Sequence, residues 1–335
     1  MLQNTFCLAR VNDLLSPPDM KKILMVLTNA RRDCARLTLD MLVESGSLPV
    51  FDRVVFLLNG VRDAHMRFVD AFIRAHPETA FDKIIGPGTR PDGISQMQNE
   101  CINKYPGALY MKVDEDVFVP NGWAHRMVEA YEAHRHLNQL ALITPLLPNN
   151  AMGLHALCSL FYPDLLAEHR SRFGEDPSPE RAGLTWRDPD VAEWATRAFL
   201  DLEAANARHR SIVAASRHPR YLPFSRPFSI GCIAYDYRHV ERMGGIPRTD
   251  EPGWCDWVEK NGQTHILDCS QIALHYAFFV QQEWLDRSSL LEDIRAVNLP
   301  GTLSPLARHL NRRLRLAAQL PGIIRRRLAD SARGP

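Results

Sequence analysis

The chain has 335 residues, of which 45% are hydrophobic and 24% charged. That is enough apolar material for a large core, as one big α/β domain with an insertion or as two smaller domains, and it excludes a disordered or fibrous protein. The formal net charge of +1 hides an asymmetry: residues 301–335 hold eight arginines against Asp330 alone and carry +7, which leaves −6 on residues 1–300. Seven cysteines (Cys7, Cys34, Cys101, Cys158, Cys232, Cys255, Cys269) stand singly with no CxxC pair, a pattern expected of reduced thiols in a cytoplasmic protein. Asn4, Arg10 and Asp13 interrupt the N-terminus, and no run approaches the roughly 18 apolar residues of a membrane span, so neither a signal peptide nor a transmembrane helix is expected.

After a leader over residues 1–20, Ile23–Leu27 reads as a buried strand, Thr28 to Asp33 as its loop, and Leu37, Met41 and Leu42 as the apolar face of a helix stopped by Gly46. Val54–Leu58 and the helical spacing of Met66, Val69, Phe72 and Ile73 make a second strand–helix unit. Phe81–Ile85 is a third strand, Asp92-Gly93 opens a helix carrying Met97 and Cys101, and residues 108–113 are the next strand. A helix from Trp123 to His134 and a strand over 141–144 complete the alternation, which argues for a mostly parallel sheet with right-handed crossovers. From Pro145 the pattern breaks, and residues 147–228 are rich in helix formers and lack strand alternation, so they read as a helical insertion. Ser229–Tyr235 resumes a strand, Gly244-Gly245 breaks the chain, and Thr264–Asp268 is a last strand before His275.

The most informative stretch is Ala108-Leu-Tyr-Met-Lys-Val-Asp114-Glu115-Asp116-Val-Phe-Val119, an apolar run that delivers three adjacent acids. Adjacent carboxylates repel, and at a strand end they need water or a cation to compensate them; hard divalent ions prefer oxygen ligands. The plain alternative is a solvated acidic turn. The apolar lead-in and the Pro120-Asn121-Gly122 turn place the acids at the C-terminal edge of a strand, which is where open α/β sheets bind ligands.

Four blocks in order resemble nucleotide-sugar-dependent glycosyltransferases of the GT-A type, family-2-like: the strand Ile23–Leu27 with Thr28-Asn29; Gly93-Ile94-Ser95-Gln96-Met97-Gln98-Asn99, similar to a Gly-Leu-Ser-x-Ala-Arg-Asn helix start; Tyr110 to Val119, similar to a strand ending in Asp-x-Asp; and Gly244-Gly245-Ile246, Asp250-Glu251 and Gly253-Trp254-Cys255-Asp256, similar to Gly-Gly-Phe-Asp-Glu followed by Trp-x-Glu-Asp. The likeness covers about residues 21–146 and 229–277 and departs at Gln98, where the pattern has a basic residue, and at Cys255, where it has Glu. The resemblance implies an α/β, GT-A (Rossmann-like) mostly parallel sheet flanked by helices, with the helical insertion and a basic C-terminal helical tail. Residues 21–146 would be the nucleotide-sugar-binding half and 229–300 the acceptor and catalytic half.

It further implies transfer of a sugar from a nucleoside-diphosphate-sugar donor to a glycan or lipid-linked acceptor hydroxyl, metal-assisted by Mn2+ or Mg2+ and inverting, with a role in cell-surface polysaccharide or lipopolysaccharide synthesis as an expectation. Thr28, Asn29, Arg31, Asp92, Gly93, Ser95, Asn99, Asp114 and Glu115 are then the donor-binding candidates. Asp116 is the expected metal ligand, with Asp114 on ribose, a bound water or the ion. His275 is either a further metal contact or a satisfied core histidine. Asp256 is the candidate general base, with Asp250 or Glu251 as alternatives should the spacing be shifted. Trp254 and Trp257 either stack on sugar or pack, and Arg31 and Arg32 either meet phosphate or stay solvated.

Rival readings are a sugar-nucleotide pyrophosphorylase, because Gly86-Pro87-Gly88-Thr89-Arg90 imitates its phosphate loop although it follows the third strand rather than the first, and a phosphatase of the haloacid dehalogenase type, which has a hydroxyl residue where Phe118 stands. A non-catalytic carbohydrate-binding protein of the same fold is a third. In the tail, Leu303, Leu306, Leu310, Leu314 and Ala317 share one helical face and Arg308, Arg312 and Arg315 the other, with Ile323 to Leu328 repeating the mixture. Such a segment, over 303–328, suits an anionic membrane surface at the inner face of the membrane, or else packs its leucines on the protein; no aromatic residues interleave with its arginines, which argues against nucleic acid.

Overall fold

The computed structural model describes residues 20–299, apart from 30, 181, 182, 226 and 227. The leader, Cys7 and the basic tail, with its expected helix over 303–328, lie outside the described residues. In chain order, β1 (Lys22–Thr28), α1 (Arg32–Glu44), β2 (Arg53–Asn59), α2 (Asp63–Ala75), β3 (Phe81–Gly86), α3 (Asp92–Lys104) and β4 (Leu109–Asp114) make the first half. A short strand β5 (Val117–Phe118), α4 (Trp123–His134) and β6 (Leu140–Leu146) follow. Then come α5 (Ala151–Ala156), α6 (Pro163–Phe173), α7 (Leu184–Arg187), α8 (Pro189–Ala198) and α9 (Leu202–Ala215). The last part holds β7 (Tyr221–Phe224), β8 (Cys232–Asp236), α10 (Tyr237–Met243), α11 (Glu251–Lys260), β9 (Thr264–Ile272), β10 (Leu274–His275), α12 (Phe279–Leu285) and α13 (Leu290–Asn298).

Eight strands form one sheet in the order β3-β2-β1-β4-β8-β6-β9-β7. The β1–β2, β2–β3, β1–β4 and β6–β9 pairs are parallel, while β8 lies antiparallel between β4 and β6 and β7 antiparallel beside β9. β1 and β2 are buried almost throughout, as strands covered on both faces must be. Alternation along β1 sends Leu24 and Val26 to the face covered by Leu37 of α1 and Met127 of α4, and Ile23 and Met25 to the face covered by Met97 of α3, Val240 of α10 and Trp254 of α11. Between β1 and β4 the strand order reverses, and in such sheets the crevice at the C-terminal ends of the two strands is the place for a ligand.

Residues 147–228 are not wholly helical. Asp188 and Asp201 cap the N-termini of α8 and α9, and Gly174 in the left-handed region closes α6. The stretch then ends in β7, whose proline, Pro223, is tolerated because the strand is the outer edge of the sheet. Its alternation was hidden by its four-residue length. Asn206 of α9 ties this part to the sheet by donating to Ile272 O at 2.9 Å and accepting from Ile272 N at 2.9 Å. The six described cysteines are all buried free thiols, and no helix among the described residues is long and apolar enough to cross a membrane.

Two histidines on the second face bear on stability. His239 packs against Trp254 and Trp257, and His265 against Phe224. Burial pushes both well down, each to about 3. Each is neutral in the folded chain, whereas the unfolded chain takes up a proton below about 6.5, so its stabilising contribution is complete above that pH and is lost as pH falls towards 3. Between pH 7 and pH 5 each histidine should therefore cost the native state about 2 kcal/mol. Urea unfolding of wild type and His239→Leu at the two pH values checks this: the stability difference should move by about 2 kcal/mol in favour of the variant on acidification, and an unchanged difference would contradict the buried neutral histidine.

Candidate active site

The three adjacent acids are stabilised in three different ways. The two-residue period of β4 puts Tyr110, Lys112 and Asp114 on one side of the strand. Lys112 is 1% exposed, and its Nζ donates to Asp114 Oδ1 at 2.6 Å and to Ile230 O at 2.9 Å. A buried ammonium is tolerable only when paired and fully hydrogen-bonded. Burial opposes its charge, but the carboxylates of Asp114, Asp250 and Glu251 outweigh this and raise Lys112 above the ordinary lysine value. Burial in turn raises Asp114 and Asp250 above the usual carboxylate range, against the pull of Lys112.

Glu115 points the other way. Its Oε2 accepts from Thr28 Oγ1 at 2.7 Å and from the Asn29 amide at 3.0 Å, its Oε1 accepts from the Arg31 amide at 3.3 Å, and its backbone O accepts from Thr38 Oγ1 at 2.7 Å. Thr28 Oγ1 also lies 2.6 Å from His65 Nε2. Glu115 thus anchors the β1–α1 loop to the end of β4 and fixes where Thr28, Asn29 and Arg31 stand.

Asp116 meets His275 because β5 and β10 pair antiparallel with Val117 opposite His275, and the Tyr276 amide donates to Asp116 O at 2.9 Å. Asp116 Oδ1 stands 3.5 Å from His275 Nε2, and Oδ2 accepts from Arg31 Nη1 at 3.2 Å. Arg31 Nη2 reaches Asp286 at 2.7 Å, and its guanidinium lies over the Tyr276 ring. Burial works against the charge on Asp116, but His275 and Arg31 outweigh it and hold the carboxyl below its usual range; burial likewise opposes protonation of His275, which Asp116, Asp114 and Glu251 reverse.

The donor set suits a hard divalent ion. Asp116 Oδ1 and His275 Nε2 stand 3.5 Å apart, against roughly 3 Å for two adjacent ligands of a six-coordinate ion with bonds of about 2.1 Å. Among the described residues no three acid, histidine or cysteine side chains gather into a complete cage, so the remaining ligands would be substrate oxygens and water, as Mg2+ commonly takes them.

The second and fourth sequence blocks meet across the site. Asn99 clasps Ile246, donating to its O at 2.9 Å and accepting from its N at 2.7 Å, and buried Gln98 donates to Asp250 Oδ1 at 2.8 Å. Gln98 fits there as a neutral donor to a buried carboxylate. Ser95 Oγ donates back to Asp92 O at 3.0 Å, and Asp92 pairs with Arg248 at 2.7 Å. Gly93 is needed for close approach, since a Cβ there would lie 2.7 Å from Asn59 Oδ1. Asp92 and Asn99 therefore tie α3 to residues 246–248, next to Asp250 in the chain.

Asp250, with φ of 53°, is the non-glycine residue in the left-handed half of backbone space among the described residues, the kind of strained conformation that collects at functional sites. It turns the chain into α11 so that Glu251 enters the first turn with Oε2 3.4 Å from the Ile230 amide. Glu251 lines a cavity with Asn150, Trp186, Phe228, Ser229 and Phe278. Asp256 is placed differently. It lies two residues beyond buried Trp254, about 200° around the helix, and is exposed. The structure brings Asp250 and Glu251, and not Asp256, to the Lys112–Asp114 pair. Trp254 is fully buried and packs on Tyr235 and His239. Lys112, His65 and the 229–231 turn were not singled out from the sequence; a lysine two residues before an acid inside an apolar strand was the available signal for the first.

No known protein family matches the chain, and no curated relative matches it. Among solved structures it is similar to the mannosyltransferase PcManGT from Pyrobaculum calidifontis in complex with GDP-Man and Mn2+ (15% identity, TM-score 0.46, covering 94% of this chain and 76% of that one). It is also similar to GalNAc-T7 with UDP, GalNAc and Mn2+ (12% identity, TM-score 0.46, 83% of this chain and 47% of that one) and to S. aureus TarS in complex with UDP-GlcNAc (14% identity, TM-score 0.29, 38% and 34%). The chain spans about half the length of the GalNAc-T7 chain.

Lys112→Met should lower the unfolding free energy by about 3–5 kcal/mol, the cost of leaving buried carboxylates without their cation. Adding Asp114→Asn should restore part of it. Denaturant titration of both single variants and the double variant measures the coupling, and additive effects would show that the pair does not stabilise the site as a unit.

Proposed function

We propose that the chain is a nucleotide-sugar-dependent glycosyltransferase that moves a sugar from a nucleoside-diphosphate-sugar donor to an acceptor hydroxyl. The observation that carries this reading is the convergence, at the switch point of the sheet, of the Asp116–His275 pair and the carboxylate of Glu251. The Glu251 charge is among those that favour the charged forms of both His275 and Lys112. On this reading the loop Thr28–Arg31 and the start of α3 seat the nucleoside, and Arg31 lies where a diphosphate carries its charge. Asp116 and His275 would hold Mn2+ or Mg2+, which supplies charge stabilisation for the departing diphosphate.

Glu251 is the proposed general base. It lines a small cavity, and its charge is among those that hold the Lys112 ammonium. A base on the acceptor side of the sugar and a leaving group on the opposite side favour a single displacement with inversion. The acceptor is proposed to be a glycan or a lipid-linked sugar, in keeping with the aromatic walls Trp186, Phe228 and Phe278.

Glu251→Gln should lower turnover by about 100-fold or more with little change in donor affinity, as loss of a general base does, while Asp256→Asn should stay close to wild type. Release of nucleoside diphosphate from a panel of nucleotide sugars with Mn2+ is the assay, and the reverse ranking of the two variants would return the role to Asp256. Asp116→Asn should abolish Mn2+-dependent binding of nucleoside diphosphate in calorimetry. Undiminished metal-dependent binding by that variant would remove the proposed ion site.

A further inference from the structure

The two ends of α12 reach the two partners of the Asp116 carboxylate. At the start, the Phe278 ring lies 4.8 Å from the His275 ring, edge to face. The Phe278 amide donates to Oε1 of fully buried Gln281 at 3.3 Å, which fixes this end. At the finish, Tyr276 Oη donates to Leu285 O at 2.7 Å, and the next residue, Asp286, accepts from Arg31 Nη2 at 2.7 Å. The Arg31 guanidinium also lies 4.9 Å over the Tyr276 ring. The bond from Tyr276 holds the end of the helix whether or not Asp286 carries a charge.

The fork of Arg31 is divided between two carboxylates. A guanidinium that meets one carboxylate prefers to bind it through two parallel N–H groups. Here Nη2 goes to Asp286 at 2.7 Å and Nη1 to Asp116 at 3.2 Å. Asp116 therefore meets Arg31 through Oδ2 and turns Oδ1 to His275 at 3.5 Å. If the fork closed on Asp116 alone, both oxygens would be taken and the carboxylate would lose its strength as a ligand. The Arg31 amide is already set on Glu115 Oε1 at 3.3 Å, so the balance between the two carboxylates is struck by the side chain.

We propose that Asp286 is a positioning residue for the ion site. It draws Arg31 away from a two-bond pair with Asp116, which keeps Oδ1 available to a divalent ion, and it holds the same guanidinium back from an anionic ligand. The two effects have opposite signs. Removing the Asp286 charge should weaken binding of the ion and strengthen binding of a diphosphate that arrives without one. This role rests on the ion and donor sites of the proposed function.

The test is calorimetry on the full chain with Mn2+ alone, and with UDP, GDP, CDP, ADP and dTDP in turn, each with and without Mn2+. Asp286→Asn keeps the shape and can still accept a hydrogen bond from Arg31. It should bind Mn2+ alone roughly fivefold more weakly and the best metal-free nucleotide roughly fivefold more tightly, as loss of one half-exposed charge partner implies. Its thermal midpoint should stay close to wild type. In an Arg31→Met background the same substitution should change Mn2+ binding far less. Equal weakening of both ligands, no change in either, or a full effect that persists without Arg31 overturns the role of Asp286 and leaves the ion site standing. Failure of the wild type to bind any of the nucleotides with Mn2+ overturns the reading of the site and this role with it.

Discussion

Three carboxylates in a row at the end of a buried strand cannot share one environment, and the site is the solution to that constraint. Pleating sends Asp114 and Glu115 to opposite sides of the strand, and the turn carries Asp116 beyond both. Each then recruits a different part of the chain: Asp114 takes Lys112 and, through it, the turn at Ile230; Glu115 takes the loop after β1; Asp116 takes Arg31 and the β10 end at His275. Segments more than 200 residues apart in sequence, such as Arg31 and Asp286, meet around this triplet. The repulsion that would make such a cluster unstable in isolation is converted into the contacts that assemble the crevice.

The helical part after β6 contributes by closing one side of that crevice. Fully buried Gln281 donates to Thr185 O at 2.8 Å and Trp186 O at 3.1 Å, which locks α7 onto α12. Trp186 then packs edge-on against Phe279, and Phe278 against His275. These contacts tie the aromatic wall to His275 of β10, with Glu251 lining the same cavity.

Much of the sheet was legible because β1, β2 and β4 are buried on both faces and therefore read as continuous apolar runs, and because the helix from Trp123 to His134 has a single clear apolar face. The strand β7 was not, since four residues containing Pro223 give no periodicity to detect. Within the site, the acids were visible as chemistry but their orientation was not: nothing in Asp114-Glu115-Asp116 says which carboxylate binds its own protein, and that follows only from register, as with Val117 against His275. The same holds for the pair Asp250-Glu251 against Asp256. Their separation along α11 decides which side of the helix each occupies, and the start of α11 is set by the strained backbone of Asp250, a three-dimensional fact without a sequence signature.

Asp116 also shows how two cationic partners are kept apart on one carboxylate. Oδ2 accepts from Arg31 and Oδ1 faces His275. A divalent ion at the Oδ1 and His275 side would share the carboxylate with Arg31 rather than displace it, and like charges a few ångströms apart in a partly dry site repel by several kcal/mol unless anions lie between them. Asp286, on the far side of Arg31, offsets part of that repulsion, and a diphosphate between the ion and the arginine would offset the rest. On the proposed reading Arg31 would tie occupancy of the ion site to occupancy by an anionic ligand: without a diphosphate its charge would weaken Asp116 as a ligand, and with one the same charge would hold the phosphate.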